Sequence, residues 1–212
     1  MTLFVLASAS PARLLVLRNA GVEPVVRVSG VDEDALTAQL GDDAAPEDVV
    51  VTLAQAKAEA VIGEFDDAVV VGCDSMLSIG GALQGKPHTV DVARERWATM
   101  AGGSGDLLTG HAVVRVSGGR VVATAAECSS TTIHFAEPST EDLEAYLASG
   151  EPLSVAGAFT LDGLGGWFVD RIEGDPSSVI GIGLPLVRRL LIDVGTSLAD
   201  LWAREGVRSA DQ

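Results

Sequence analysis

The segment Ser8-Ala9-Ser10-Pro11-Ala12-Arg13 has the residue types of an anion-binding site. It follows a short apolar run and precedes a helical pattern, and the unpaired N–H groups at the start of a helix attract anions. Ser8 and Ser10 would add hydroxyl donors, and the guanidinium of Arg13 suits phosphate. Taken alone, the segment is explained more simply by a helix cap at Ser10 and an exposed Arg13, because serine is a common capping residue.

Acidic side chains at two distant places could hold a divalent cation. Asp74 follows the apolar run 68–73, so we expect it at the carboxyl end of a parallel strand, where α/β sheets usually bind ligands. The run 32–34 predicts an acidic loop, which on its own would be a solvated turn. Magnesium needs only one or two carboxylates besides water and phosphate oxygens, so Glu33 with Asp74 would suffice.

The only lysines, Lys57 and Lys86, both fall in segments that could belong to a site. Lys57 lies among alanines in the predicted helix 46–62, where it is either a surface residue or a compact ammonium required by the site. Lys86 lies in the segment 80–87 (GGALQGKP), which resembles a Walker A loop. Pro87, however, stands where such a loop needs Ser or Thr for Mg²⁺, and proline cannot lie inside the helix that follows. We therefore reject a P-loop and expect Lys86 to act as a point charge.

Composition limits the class of protein. The 212 residues are 47% hydrophobic, which is enough for a buried core and excludes intrinsic disorder. The net charge of −16 argues against nucleic acid and anionic membranes as partners. No apolar run approaches the ~20 residues that span a bilayer. Cys73 and Cys128 form no metal-binding spacing and no disulfide framework, so we expect a cytoplasmic protein.

Strand-like runs alternate with helical patterns, which favours an α/β fold. The predicted strands are 3–7, 25–28, 68–73, 107–116, 120–135 and 167–172, with a hairpin over 76–79 and 82–83. The predicted helices are 12–20, 46–62, 90–100, 140–148 and 184–194, with a short further helix from residue 197.

Nine short motifs, in one order, give the chain a resemblance to a known family. It resembles the Maf (septum-formation-inhibitor-like) nucleotide pyrophosphatases. The matching stretches are 6–13 (LASASPAR), 31–33 (VDE), 54–58 (AQAKA), 69–75 (VVVGCDS), 85–87 (GKP), 151–158 (EPLSVAGA), 162–168 (DGLGGWF), 171–175 (RIEGD) and 179–186. The resemblance implies an α/β fold of two lobes with a mixed sheet around a central cleft, similar to the inosine triphosphatase architecture. It also implies one catalytic domain over residues 1–195, followed by a tail over 196–212.

The resemblance implies an activity and a cofactor. Members of the family hydrolyse nucleoside triphosphates to the monophosphate and pyrophosphate with Mg²⁺ or Mn²⁺, and a homodimer is suggested. Three residues at positions tied to base choice, Ala12, Ser75 and Asp162, differ from the family's pyrimidine-selective pattern, so we expect a non-canonical or modified nucleotide as substrate. The alternative function is a non-catalytic, nucleotide-binding regulator of cell division.

The resemblance also implies roles for individual residues. The catalytic residues would be Asp74, Glu33 and Lys86. Asp74 would accept the proton, Glu33 and Asp74 would serve the metal and the water, and Lys86 would neutralise the triphosphate together with Lys57. The phosphate-binding residues would be Ser8, Ser10, Arg13 and Lys57.

Three positions depart from the family's pyrimidine-selective pattern. Ala12 stands in place of arginine, Ser75 in place of threonine and Asp162 in place of glutamine. These positions are tied to base choice. An ionised Asp162 can only accept hydrogen bonds, which favours the two donors of guanine or a cationic modified guanine over uracil or thymine.

Overall fold

The computed structural model describes residues 2–41 and 43–205, with side chains described up to residue 202. Its centre is a seven-stranded mixed sheet in the order β2-β1-β3-β5-β6-β7, with β4 paired to β3. The strands are β1 (Leu3–Leu6), β2 (Val25–Val26), β3 (Asp67–Ile79), β4 (Ala82–Gln84), β5 (Ser104–Ser117), β6 (Arg120–Phe135) and β7 (Val169–Glu173). β1 runs parallel to β2 and β3, and the other pairs are antiparallel. The expected α/β fold with a mixed sheet is confirmed.

Helices cover both faces of the sheet. They are α1 (Pro11–Asn19), α2 (Glu33–Leu40), α3 (Pro46–Glu59), α4 (Val90–Met100), α5 (Thr140–Ala148), α6 (Pro176–Ile180), α7 (Leu184–Asp193) and α8 (Leu198–Glu205). Local sequence explains several starts, because Ser10, Thr89 and Ser139 each accept a hydrogen bond from a first-turn N–H group. None of the helices within the described residues is both long and apolar enough to cross a membrane.

Three apolar clusters bury the sheet. On one face α1, α7 and α8 pack over Val69, Val71 and Cys73 of β3. On the opposite face α3 packs over Val70 and its neighbours. The third cluster surrounds Trp97 of α4 and joins α4, α5 and the far end of the sheet. Alternate residues of β3 therefore face opposite layers, as a strand requires.

The structure corrects three predictions that bear on the site. Asp74 lies in the interior of the 13-residue strand β3, not at a strand's end, because the chain stays extended through Asp74 and Ser75 and pairs with β5 up to residue 78. The acidic run 32–34 is not a loop: Asp32 caps α2 and Glu33 begins it. The segment that contains α6 was predicted as turns.

Other element boundaries agree closely. The bounds of β6, α4 and α5 are confirmed, and the hairpin turn at Gly80-Gly81 is present between β3 and β4. The predicted strand 167–172 begins two residues later, since 164–168 forms a 3₁₀ turn. The helix expected after residue 197 is α8, whose Leu201 enters the core. The rest of the tail, residues 206–212, lies outside the described residues.

Candidate active site

A gap along one edge of β3 forms the centre of the site. β5 pairs with one edge of β3 over residues 67–78, so β1 and β4 both pair with the other edge. β1 occupies positions 68–71 and β4 positions 77–79, and none of the described strands pairs with residues 72–76 on that edge. Asp74 lies in the middle of this gap. The segment after β1 flanks the gap on one side and the segment after β4 on the other.

Two glycines let α3 approach the sheet beside the gap. A Cβ atom at Gly72 would lie 2.1 Å from the carbonyl oxygen of Ala54, and one at Gly110 would lie 2.1 Å from that of Val50. Any side chain at either position would push the helix away. The close approach brings Lys57, one turn beyond Ala54, over Asp74.

Lys57, Asp74 and Glu33 form one ion-paired cluster. Lys57 Nζ lies 2.6 Å from Asp74 Oδ1 and 2.8 Å from Glu33 Oε1. Lys57 and Asp74 are 7% and 5% exposed, whereas the Glu33 side chain is 44% exposed. The expected convergence of Glu33 and Asp74 is therefore present. It depends on α2, which carries Glu33 to the open side of the cluster.

One carboxylate oxygen of the cluster is left for a ligand. Asp74 Oδ2 is buried, and no group within the described residues donates a hydrogen bond to it. A buried, unpartnered carboxylate oxygen beside a half-exposed glutamate is a donor set suited to a hard divalent cation. Within the same residues no group of three or more His, Cys, Asp or Glu side chains is arranged to hold a metal, so the protein would contribute this carboxylate pair.

The positive charges of the site act on Glu33. Partial burial would raise the pKa of Glu33, but the hydrogen bond from Lys57 and the charges of Lys57, Lys86 and Arg13 together lower it. Three cations from distant parts of the sequence therefore act on one carboxylate, and Lys57 is in direct contact with it. Among the described residues Lys86 forms no salt bridge and is exposed, which leaves its ammonium group free for a ligand.

Arg13 enters the gap from the end of β1. Its Nη1 donates to the carbonyl oxygen of Cys73 at 2.8 Å and to Ser8 Oγ at 3.1 Å. The Val71 carbonyl accepts from the Ala7 N–H, so it points to the edge of β3 that pairs with β1. The Cys73 carbonyl, two residues further along the strand, points to the same edge, where the gap lies. Arg13 thus takes a hydrogen bond that a neighbouring strand would otherwise make.

Ser8 and Ser10 keep hydroxyl protons for a ligand. Ser8 Oγ accepts from the Ser10 N–H and from Arg13, and Ser10 Oγ accepts from the Arg13 N–H. In each case the serine is the acceptor, so its own O–H remains available as a donor. The predicted cap at Ser10 is confirmed, and capping does not exclude phosphate binding.

The loop that carries Lys86 is held by its backbone. The Gly85 carbonyl accepts from Arg96 Nη1 of α4 and from the Gly157 N–H. The His88 N–H donates to the Leu153 carbonyl at 3.1 Å. The 3₁₀ turns 151–154 and 156–158 thus fix the loop from two sides.

The family model described as Maf-like protein matches residues 3–194, nearly the whole chain. The chain belongs to the Maf-like family. A protein of Rhodococcus opacus (strain B4) named nucleoside triphosphate pyrophosphatase is 72% identical over 211 residues, or 97% of this chain and 99% of the relative. Proteins of the same name are 70% identical in Nocardia farcinica, over 93% of this chain and 95% of the relative. In Mycolicibacterium vanbaalenii the identity is 56%, over 96% and 100%.

The three positions that the resemblance ties to base choice lie in different places in the structure. Ala12 is half-buried in the first turn of α1, and Asp162 is exposed. Ser75 lies close to Arg13, whose Nη2 donates to Ser75 Oγ at 3.2 Å. The structure therefore connects Ser75 to the guanidinium. Asp162 lies in a loop whose neighbours Leu164 and Gly165 donate backbone N–H groups to the carboxylate of Glu151.

Sequence analysis missed several residues that support the site. Thr109 contacts Ser75, Gly181 accepts from Arg13, and Glu151 holds the loop of Asp162. Thr109 and Gly181 lie far along the chain from the residues they support, with Arg13 and Gly181 168 positions apart, whereas Glu151 lies 13 positions before Leu164. No local pattern signals the contacts of Thr109 and Gly181, because they depend on strand register and on the placement of the segment around α6.

Proposed function

We propose that this chain hydrolyses nucleoside triphosphates to the nucleoside monophosphate and pyrophosphate. The observation that carries the proposal is the setting of Asp74: buried in the gap of β3, fixed through Oδ1 by Lys57, with Oδ2 unpartnered among the described residues. A carboxylate held in this way is suited to accept a proton from water. The names of the close relatives support the same reaction.

The residues around the gap would bind and orient the triphosphate. Arg13, Ser8 and Ser10 would donate to phosphate oxygens at the end of β1, and Lys86 would approach from the loop after β4. Water attacks one phosphorus of the α–β anhydride, Asp74 takes the proton, and the bridging oxygen leaves with the other phosphate. Orientation and charge neutralisation would supply most of the acceleration, and a general base contributes about 10²–10⁴-fold.

Glu33 and Asp74 would hold a divalent cation, Mg²⁺ or Mn²⁺. When bound, such an ion polarises phosphate oxygens and acidifies water. The half-exposed Glu33 and the unpartnered Asp74 Oδ2 support this assignment, since Oδ2 has one lone pair for the cation and a second for the proton. Lys57 would hold both carboxylates in position and remain close enough to bind phosphate.

This arrangement favours an enzyme over a non-catalytic regulator of cell division. A nucleotide sensor needs phosphate contacts such as those of Arg13, but it needs no general base, which is the role that Asp74 would take. Two finer expectations belong to the same proposal: a reducing cytoplasm, which suits the two free cysteines, and a homodimer.

We expect a guanine or modified guanine nucleotide to be preferred. Asp162 can only accept hydrogen bonds when ionised, and its exposed position leaves it free to meet the N1–H and N2–H donors of guanine. The substitution Asp162→Gln should shift preference towards UTP and dTTP, since an amide both donates and accepts. Wild-type preference for dTTP and UTP over every guanine nucleotide would refute this assignment.

The test of the reaction is a nucleotide panel, including methylated bases, with product analysis. We expect pyrophosphate and monophosphate from the wild type. Asp74→Asn should lower kcat by about 10²–10⁴-fold while the far-ultraviolet circular dichroism spectrum stays unchanged. Orthophosphate as the first product, or full activity of a folded Asp74→Asn variant, would contradict the proposal.

A further inference from the structure

The guanidinium of Arg13 is anchored by a pair of hydroxyl groups, the half-buried Ser75 and the fully buried Thr109. We propose that Thr109 is a positioning residue for phosphate binding, acting on Arg13 through Ser75. This inference rests on the proposed function, in which Arg13 contacts the triphosphate. It adds a residue on β5 that has no access to a ligand.

The hydrogen bonds form one continuous chain across the sheet. Arg13 Nη2 donates to Ser75 Oγ at 3.2 Å, and Ser75 Oγ lies 3.1 Å from Thr109 Oγ1. Thr109 Oγ1 lies 3.2 Å from the Ser178 carbonyl oxygen, its acceptor in α6. Ser75 and Thr109 are paired across β3 and β5 in the strand register, so the sheet itself sets their separation.

The direction of every proton in this chain is determined. Arginine can only donate, so Ser75 Oγ accepts from Arg13. A carbonyl can only accept, so the hydroxyl of Thr109 donates to Ser178. The proton between the two hydroxyls must then belong to Ser75. With that proton engaged, Ser75 presents a lone pair to Arg13 in a fixed direction.

The anchor leaves Arg13 one N–H for a ligand. A guanidinium has five N–H donors, and four of those of Arg13 are engaged with Gly181, Ser8, Cys73 and Ser75. The remaining N–H, on Nη2 beside the Ser75 contact, has no partner among the described residues. Fixing the guanidinium in advance lowers the entropy lost when phosphate binds.

Thr109 acts only through other groups. Its relative exposure is 0%, so no nucleotide can touch it. Loss of the Thr109 hydroxyl would leave the Ser75 hydroxyl without its acceptor and the Ser178 carbonyl without its donor. The Ser75 proton could then turn elsewhere, and the direction offered to Arg13 would no longer be fixed.

The experiment compares Thr109→Val, which has nearly the same shape, with Thr109→Ser, which restores the hydroxyl. Affinity for inorganic pyrophosphate is measured by calorimetry, and KM and kcat are measured with the nucleotide that the wild type cleaves fastest. We expect Thr109→Val to weaken pyrophosphate binding and raise KM by about 3- to 10-fold, the equivalent of one hydrogen bond. kcat should change less than KM, and Thr109→Ser should restore both values to near those of the wild type.

A double-mutant cycle tests the route through Ser75. In a Ser75→Ala background, Thr109→Val should have little further effect, because the hydroxyl it acts on is already absent. Independent, multiplicative effects of the two substitutions would overturn the proposed route.

Thr131→Val is the matched control for general loosening. Thr131 is also 0% exposed, and its hydroxyl also binds the segment that begins α6, through the Asp175 N–H, but it contacts neither Ser75 nor Arg13. We expect its pyrophosphate affinity to match the wild type. An equal loss in Thr131→Val and Thr109→Val would overturn the proposal in favour of a structural effect.

Arg13→Ala separates this inference from the proposed function. It should weaken pyrophosphate binding by about 10- to 100-fold, since a charged hydrogen bond is lost. If Arg13→Ala has this effect and Thr109→Val has none, Thr109 is not a positioning residue. If neither variant changes binding, the phosphate-binding role of Arg13 itself is wrong.

Discussion

Replacing Gly72 by alanine should separate α3 from the sheet and move Lys57 away from Asp74. The added Cβ would lie 2.1 Å from the Ala54 carbonyl oxygen, whereas ordinary contact begins at 3.4 Å, so the helix would have to shift by about 1.3 Å. Overpacking of this kind costs about 1–3 kcal/mol of unfolding free energy. A shift of about 1 Å in a catalytic group can lower the rate about 10²-fold.

Two further glycines make the Gly72→Ala experiment specific. Gly110→Ala would meet α3 at Val50, seven residues and about two turns before Lys57, so we expect a similar loss of stability with a smaller loss of activity. At Gly63 a Cβ would have no heavy atom within 4 Å, and Gly63→Ala should resemble the wild type. Urea unfolding gives the free energy, and pyrophosphate release gives kcat/KM. Wild-type stability and activity in Gly72→Ala would refute the claim that close helix–sheet contact positions Lys57.

Two other perturbations test groups outside the cluster. Burial, aided by the charge of Arg13, lowers the pKa of His111 to about 4. Between pH 6.5 and pH 4 the imidazole is therefore protonated in the unfolded chain but neutral in the native state. Stability should therefore fall by about 3 kcal/mol as the pH drops from 6.5 to 4. Urea melts of His111→Gln, which cannot titrate, should lack this part of the slope; an unchanged slope would exclude His111. Arg96→Met removes the hydrogen bond that Arg96 of α4 donates to the Gly85 carbonyl in the Lys86 loop. KM should then rise by about 3- to 10-fold, with less change in kcat. An unaltered KM would mean that the backbone contacts of the loop suffice.

Elements with local signals could be predicted from the sequence. The starts of α4 and α5 follow from Thr89 and Ser139, whose side chains cap the N–H groups of Val92 and Asp142. The start of β6 follows from the turn at Gly118-Gly119, where both glycines adopt positive φ. Such signals act over a few residues, so one sequence is enough to reveal them.

The position of Asp74 could not be predicted in the same way. A polar pair after an apolar run is typical of a strand's end, yet β3 continues because β5 pairs with it past the gap. The gap exists only because β1 stops early and β4 begins late on one edge, which is a property of the whole sheet. α2 does carry a local start signal, since Asp32 caps it and Glu33 and Asp34 lie in its first turn, but none of its residues is buried, so no apolar periodicity marks the helix.

The formal charges within the site explain how an acidic chain could bind a polyanion. They also indicate that binding a triphosphate requires a further positive charge. Lys57 is balanced by two carboxylates, so this cluster alone carries a net charge of −1. Arg13 and Lys86 add two positive charges, which leaves only a small excess for a triphosphate. We therefore expect nucleotide affinity to depend on a divalent cation held by Glu33 and Asp74. Calorimetric titration with a nucleotide should show weaker binding in a chelator than in Mg²⁺, and Asp74→Asn should reduce that difference. Equal affinity in both conditions would mean that Arg13 and Lys86 alone supply the charge.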